Sequence, residues 1–317
     1  MARSVDVPDL VVRARRGEPR AVARLISLVE DQSALLRDVA AELAPYAGRA
    51  HIVGLTGSPG VGKSTTTSAL VTAYRRQGKR VGVLAVDPSS PFSGGALLGD
   101  RVRMQEHALD PEVYIRSMAS RGHLGGLAWT TPQALRVLDG AGCDVILVET
   151  VGVGQSEVEV VGVADTVVVL LAPGMGDGIQ AAKAGILEVG DVFAVNKADR
   201  DGADATAREL RHMIGLGERP AGGWRPPVLK TVASRGEGID ELVEAIDKHR
   251  QWAAESGAGV VRRQHRAGSE IEALALAQIR RQMESDESLL QVLAADVAAG
   301  LRDPYSAADE LMAASGV

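Results

Sequence analysis

Cysteine is almost missing: the sequence of 317 residues holds one, Cys143. A single thiol cannot close a disulfide within the chain, nor supply a thiolate-rich metal site, so disulfide scaffolds and Cys-based zinc folds are excluded. Cys143 stands just before the apolar run Val145–Val148, where a small buried residue is expected. Aromatic residues make up 3% of the chain against 45% hydrophobic residues, so a sizeable core can form but must rest on Val, Leu, Ile and Ala. There is no surplus of positive charge. The formal net charge is −6, which argues against a general binder of nucleic acid or anionic membrane. No uninterrupted apolar stretch reaches the ~18 residues of a membrane span. The first residues, Met-Ala-Arg-Ser-Val-Asp, carry no apolar signal region. A cytoplasmic protein is expected, built as one large domain with extensions or as two small domains.

What the chain does have is the stretch from Ile52 to Thr67, I-V-G-L-T-G-S-P-G-V-G-K-S-T-T-T. A short apolar run, Ile52 to Leu55, reads as a buried strand. The pattern G-x-x-x-x-G-K-S follows, and then a helix-compatible segment, Thr65 to Arg76. Strand, glycine-rich loop and helix in that order make a phosphate-binding P-loop. Glycines let backbone N–H groups converge on phosphate oxygens without Cβ clashes, and the new helix adds the positive end of its dipole. The candidate cradle is Gly57, Ser58, Pro59, Gly60, Val61, Gly62, Lys63, Ser64 and Thr65, with Lys63 for the β- and γ-phosphates and Ser64 for Mg²⁺.

From Ile52 onward apolar runs alternate with helical stretches. The runs are Ile52–Leu55, Val81–Val86, Val113–Ile115, Val145–Val148, Thr166–Leu171, Val192–Val195 and Val228–Val232. They lack polar alternation, as strands buried on both faces of a mostly parallel sheet do. The expected fold is therefore a three-layer α/β P-loop domain over residues 49–254. Residues 1–48 read as a helical N-terminal extension lying outside the nucleotide core, with Val22, Leu25, Ile26 and Val29 at helical spacing. Residues 255–317 read as a helical arm. It opens on a hinge or linker at 255–268, followed by apolar stripes through Ile271, Leu274, Ile279 and Met283 and through Leu289, Leu290, Leu293, Val297 and Leu301, ended by Pro304. Such an arm either caps the core or buries its stripe against a second subunit.

Ligands of such sheets gather beyond the carboxyl ends of the strands, and there the suggestive residues fall. Asp87 opens Asp-Pro-Ser-Ser-Pro at the end of a strand run; it either holds Mg²⁺ or begins a turn. Asp100 is a further candidate metal ligand, and Arg101 and Arg103 either stabilise transferred charge or form a solvated pair. Glu149 follows Val-Ile-Leu-Val and starts E-T-V-G-V-G-Q. It fits the second acidic position of a P-loop hydrolase, with the Gly152 N–H near the γ-phosphate. Gln155 and Glu157 are candidates for positioning water, or ordinary loop polarity. The candidate metal set is Ser64, Asp87, Asp100 and Glu149, and the candidate catalytic set is Lys63, Glu149, Asp100 and Gln155.

Asn196-Lys197-Ala198-Asp199 after the run Val192–Val195 is the sharpest discriminator. The Asp199 carboxylate can accept from guanine N1–H and the exocyclic amine, whereas adenine offers an acceptor where guanine has N1–H. A site of buried hydrogen bonds rejects the base that leaves them unpaired. Later, Val232-Ala233-Ser234 ends the last run, and a backbone N–H there would meet guanine O6. P-loop, strand-end acids, N-K-A-D and A-S-R-G stand in the order a G domain requires, so GTP and GDP with Mg²⁺ are the expected ligands.

Longer motifs narrow this further. D-P-S-S-P-F-S-G-G-A-L-L-G-D-R-V-R-M, R-S-M-A-S-R-G-H-L-G-G-L-A, V-E-T-V-G-V-G-Q-S-E and P-G-M-G-D-G-I-Q-A-A-K-A-G-I-L-E resemble the MeaB/MMAA/ArgK family, G-protein chaperones of adenosylcobalamin-dependent methylmalonyl-CoA mutase. The resemblance runs from about Ile52 to Ile246. It implies a homodimer joined through the C-terminal arm. It also implies GTP hydrolysis that gates cofactor loading and protects the mutase, and a loop from Asp177 to Lys183 that signals the nucleotide state. Gly178 and Lys183-Ala184 depart from that loop's usual pattern of an acidic residue and two adjacent basic ones. Two other readings share the P-loop. A nickel-delivering GTPase needs a Cys and His site, but the six His residues here are scattered. A small-molecule P-loop kinase needs an acceptor pocket.

Overall fold

The computed structural model describes residues 5–31, 33–87, 104–107, 109–119, 130–150, 162–174, 187–216, 222–284 and 287–314. Two compact units emerge, Met1–Arg262 and Arg263–Val317.

The first unit is built on a parallel sheet of seven strands among the described residues, in the order β3-β2-β4-β1-β5-β6-β7. They are β1 (His51–Thr56), β2 (Val81–Asp87), β3 (Val113–Ala119), β4 (Val145–Thr150), β5 (Thr166–Leu171), β6 (Val192–Val195) and β7 (Val228–Lys230). Each forecast run forms a strand, though the third extends to Ala119 and the last stops at Lys230 because Val232 bends away to bridge Glu237. β1 lies in the middle, with Leu55 opposite Glu149 of β4 and opposite Val168 of β5. The loop that leaves β1 therefore opens beside the end of β4.

Side chains alternate across a strand, so each Val-rich run feeds two cores. In β5, Val167 and Val169 point into one buried cluster and Val168 and Leu170 into the other. The second cluster is closed by α4 (Lys63–Arg76) through Leu70, Val71 and Tyr74, and by α7 (Ile239–Glu255) through Leu242, Val243 and Ile246. The first is closed by α5 (Thr131–Gly140), by α6 (Ala203–Leu216) and by the N-terminal helices α1 (Val7–Arg15), α2 (Pro19–Glu30) and α3 (Leu36–Leu43). Those N-terminal helices thus do not lie outside the nucleotide core. Val7, Val11, Val22, Leu25, Ile26 and Val29 share one cluster with Leu84, Ile146 and Val148 of the sheet. Asp139 at the end of α5 secures the entry to β1. Its carboxylate accepts from the backbone N–H of Gly48, of Arg49 (3.2 Å) and of Ala50 (2.9 Å). Cys143 is buried, and burial pushes its thiol up, out of reach of ordinary thiolate chemistry.

Residues 255–268, read as a hinge or linker, are helical for most of their length, although the division between the two units falls within them. Gly257, at φ +76°, ends α7, and α8 (Ala258–Glu284) begins at once. Polar composition hid a helix whose first turns are tied to the sheet. Arg262 donates to Asp191 Oδ2 (2.7 Å), to Asp191 Oδ1 (3.0 Å) and to the Asp165 carbonyl (2.7 Å). Asp191 also receives the Val167 N–H (2.8 Å) and faces His249 Nε2 at 3.2 Å, under Trp224. Burial raises the Asp191 carboxyl, but the facing His249 imidazole and the Arg262 guanidinium outweigh it and hold it below the usual carboxylate range.

In the second unit α9 (Glu287–Ala298) and α10 (Pro304–Ala314) pack through Leu293, Ala307 and Leu311, with Leu289, Val297 and Met283 against them. Pro304 starts α10 rather than merely ending the helix before it, since Pro is well placed in a first turn. Ile271, Leu276, Val292, Leu301 and Tyr305 are exposed. No helix of the described residues is long and apolar enough to cross a membrane.

Candidate nucleotide site

The loop after β1 turns where only glycine fits. A Cβ on Gly57 (φ +138°) would lie 2.2 Å from the Leu170 carbonyl oxygen, and one on Gly62 (φ +98°) would lie 2.4 Å from Asn196 Nδ2. Gly62 is the left-handed residue from which α4 departs, so α4 begins at Lys63, two residues before the sequence suggests. That places Lys63, Ser64 and Thr65 in its first turn, at the positive end of the helix dipole, where an anion is favoured. Ser58, Pro59 and Gly60 form the rim, while Val61 is buried in the core and fixes the loop from beneath.

Lys63 is held at the mouth of the loop. Its Nζ donates to the carbonyls of Gly57 (2.5 Å) and Ser58 (3.2 Å). Ser64 Oγ donates to Glu149 Oε1 (2.5 Å), and both residues are buried. A hydroxyl and a carboxylate brought together in this way are the kind of hard oxygen ligands that Mg²⁺ prefers. Thr67 completes this corner: its Oγ1 bonds Glu149 Oε2 (3.2 Å) and the Lys63 carbonyl (3.0 Å). Its place one turn beyond Lys63 on the helix was the available signal, and it escaped sequence reasoning. Among the described residues no group of three or more His, Cys, Asp or Glu side chains could hold a metal ion.

Asn196 joins the two halves of the site. Its Nδ2 donates to the Val61 carbonyl in the P-loop (2.8 Å), and its Oδ1 accepts from Thr231 Oγ1 (3.2 Å) and the Ala233 N–H (3.1 Å). Lys197 adopts φ +56°, the only positive φ of a non-glycine among the described residues, and its Nζ reaches the Gly60 carbonyl (2.6 Å). Asp199 faces outward, with Arg235 Nη2 3.4 Å from its Oδ2. The stretch Val232-Ala233-Ser234 narrows to one donor. The Val232 N–H is bound to the Glu237 carbonyl and that of Ala233 to Asn196, whereas the Ser234 N–H has no partner among the described residues. A groove of about 580 Å³ runs from Ser64 and Thr65 to Ala233, Ser234 and Arg235, so the start of α4 and the turn after β7 face one space.

Asp87 ends β2 at the same carboxyl edge of the sheet, with its backbone opposite Ala119. Asp100, Arg101, Arg103, Gly152, Gln155, Glu157 and the stretch Asp177 to Lys183 lie outside the described residues.

Comparison with known proteins gives a consistent picture. Residues 22–288 match the family described as methylmalonyl Co-A mutase-associated GTPase MeaB. A Pyrococcus horikoshii protein provisionally named a GTPase is 48% identical over 305 residues, 96% of each chain. The Escherichia coli GTPase ArgK is 39% identical over 254 residues, 78% of this chain and 76% of its own. Among solved structures, an LAO/AO transport system kinase superposes over the full length of both chains with a TM-score of 0.74 at 27% identity.

Proposed function

Because this chain belongs to the MeaB family of GTPases, we propose that its hydrolysis of GTP to GDP and phosphate gates adenosylcobalamin loading onto a methylmalonyl-CoA mutase and protects that enzyme. The family description names the mutase association. Likewise a mouse relative, 42% identical over 67% of this chain and 52% of its own length, is named methylmalonic aciduria type A homolog, mitochondrial. The observation that carries the nucleotide half of the reading is the double tie of Asn196, to Val61 in the P-loop and to Ala233 in the base loop. One side chain thereby ties the P-loop to the loop read as the base site.

In this reading the Ser234 N–H meets guanine O6, and Asp199 accepts from N1–H and the exocyclic amine. The N–H groups of Gly60 to Thr65 surround the phosphates, and the Lys63 ammonium turns from the Gly57 and Ser58 carbonyls onto the β- and γ-oxygens. Ser64 and Glu149, with Asp87 and Asp100, would hold Mg²⁺ directly or through water, and the ion would neutralise charge developing on the phosphate oxygens. Gln155 is the candidate for orienting the attacking water. The arm beyond Arg262 bears exposed Ile271, Leu276, Val292 and Leu301, and the reading assigns that apolar surface to a homodimer contact.

The experiment is a pull-down with purified adenosylcobalamin-dependent methylmalonyl-CoA mutase in GDP and in a non-hydrolysable GTP analogue. Capture that differs between the two nucleotides supports the reading, and equal or absent capture contradicts it. The kinase name of the solved relative is met by following labelled γ-phosphate, which should pass to water and not to an amino acid.

A further inference from the structure

Arg235 stands between two carboxylates. Its Nη2 is 3.4 Å from Asp199 Oδ2, and its Nη1 is 3.8 Å from Glu237 Oε1. The backbone around it is fixed. The Val232 N–H is bound to the Glu237 carbonyl, the Ala233 N–H to Asn196, and the Arg235 N–H to the Val232 carbonyl. The side chain is not: it is 60% exposed, so it is free to choose between the two acids by rotation alone. One of those acids is the carboxylate read above as the guanine receptor. A carboxylate accepts in its own plane, where a planar guanidinium and the N1–H and amine edge of guanine require the same oxygens. Sharing Oδ2 weakens the hold on both.

We propose that Arg235 is an internal competitor of guanine. It closes on Asp199 when the base leaves and moves to Glu237 when the base enters, so that nucleotide release is assisted from within the chain. The inference rests on the guanine reading of Asp199 given under the proposed function. Glu237 is essential to it as the second station, because it keeps the displaced guanidinium paired while the base is bound. The energetic scale is that of a solvent-exposed ion pair, so the effect on release is a few-fold rather than orders of magnitude. It fades with salt, because both alternatives are screened.

The test measures the dissociation rate and affinity of GDP for the full-length protein and for Arg235→Ala, Glu237→Gln and their double variant. Arg235→Ala should slow GDP release and tighten binding by about threefold, with the difference from wild type shrinking in high salt. Glu237→Gln should speed release by about twofold, since only Asp199 is left for the guanidinium, and should add nothing once Arg235 is gone. Release that is unchanged or faster in Arg235→Ala overturns the inference, and so does a Glu237→Gln effect that persists without Arg235. Arg235→Gln, which keeps a long polar side chain without the charge, should behave as Arg235→Ala. The premise is tested separately with Asp199→Asn. If that variant still prefers GDP to XDP, the guanine reading itself fails. If its preference inverts while Arg235→Ala leaves release unaltered, only the competitor fails.

Discussion

Asn196 ties the P-loop to the turn after β7. Truncation to Ala would leave the Val61 carbonyl and the Ala233 N–H without their partner in a buried setting. Each such orphan costs 1–3 kcal/mol, so Asn196→Ala should lose about 3 kcal/mol of unfolding free energy as well as nucleotide affinity. Denaturant unfolding of the nucleotide-free protein checks this, and a loss confined to affinity would show that the clamp is not structural. The Asn-Lys-Ala-Asp signature was legible in sequence because it is contiguous. Its bonds were not, since Val61 and Asn196 are 135 residues apart. The same distance in sequence hid Thr67 as a support of Glu149, 82 residues away. At Gly62 the requirement was visible from the motif, and the structure adds the reason. Gly62→Ala would force a Cβ into Asn196 at a left-handed φ, so it should weaken GDP binding and lower the melting temperature together.

At the scale of elements, strands were far easier to read than the helices around them. Short continuous Val-rich runs read as strands buried on both faces, by their length and β-branched content, and β1, β2, β4, β5 and β6 stand where those runs are. The start of α8 was misread because Arg262, Arg263, His265 and Arg266 look like solvated linker, whereas Arg262 is spent on Asp191, 71 residues away. That pair carries a pH dependence. The folded Asp191 carboxyl lies below its ordinary range, because His249 and Arg262 outweigh desolvation. A depressed folded value gives stability that is fully present above the ordinary aspartate range and is lost as pH falls through the folded value. Stability should therefore drop below about pH 4, the region where unfolded aspartate titrates. Asp191→Asn should be less stable at neutral pH yet show a shallower acid loss. Parallel acid profiles for the two proteins would mean that Asp191 does not carry that dependence.

For the whole molecule, the sequence gives an α/β nucleotide core with helices at both ends, and the structure redistributes those ends. The N-terminal helices complete one face of the core, with α2 packed on α5 and β3, so removing α2 should uncover those elements and prevent folding. The C-terminal segment forms a unit of its own beyond Arg262. A chain ending after Arg262 retains the Asp191 clasp, and it should remain a folded, nucleotide-binding monomer, whereas the proposed reading expects the full chain to sediment as a dimer. A truncated protein that still dimerises would place the dimer contact elsewhere. The proposed client enzyme rests on resemblance in long loop motifs and on the family description, since recognition of a partner leaves no simple periodicity in the chain that performs it.

The central claim is that a guanine nucleotide read by Asp199 sets the interaction with a methylmalonyl-CoA mutase. Its most direct test is the affinity of the purified mutase for wild type and for Asp199→Asn, each loaded with non-hydrolysable analogues of GTP or of XTP. An asparagine amide can donate where the carboxylate only accepts, which suits the extra carbonyl of xanthine. Nucleotide control of the complex should pass from the GTP analogue in the wild type to the XTP analogue in the variant. Control that stays with the GTP analogue in Asp199→Asn, or a mutase affinity indifferent to nucleotide in both proteins, would contradict the account.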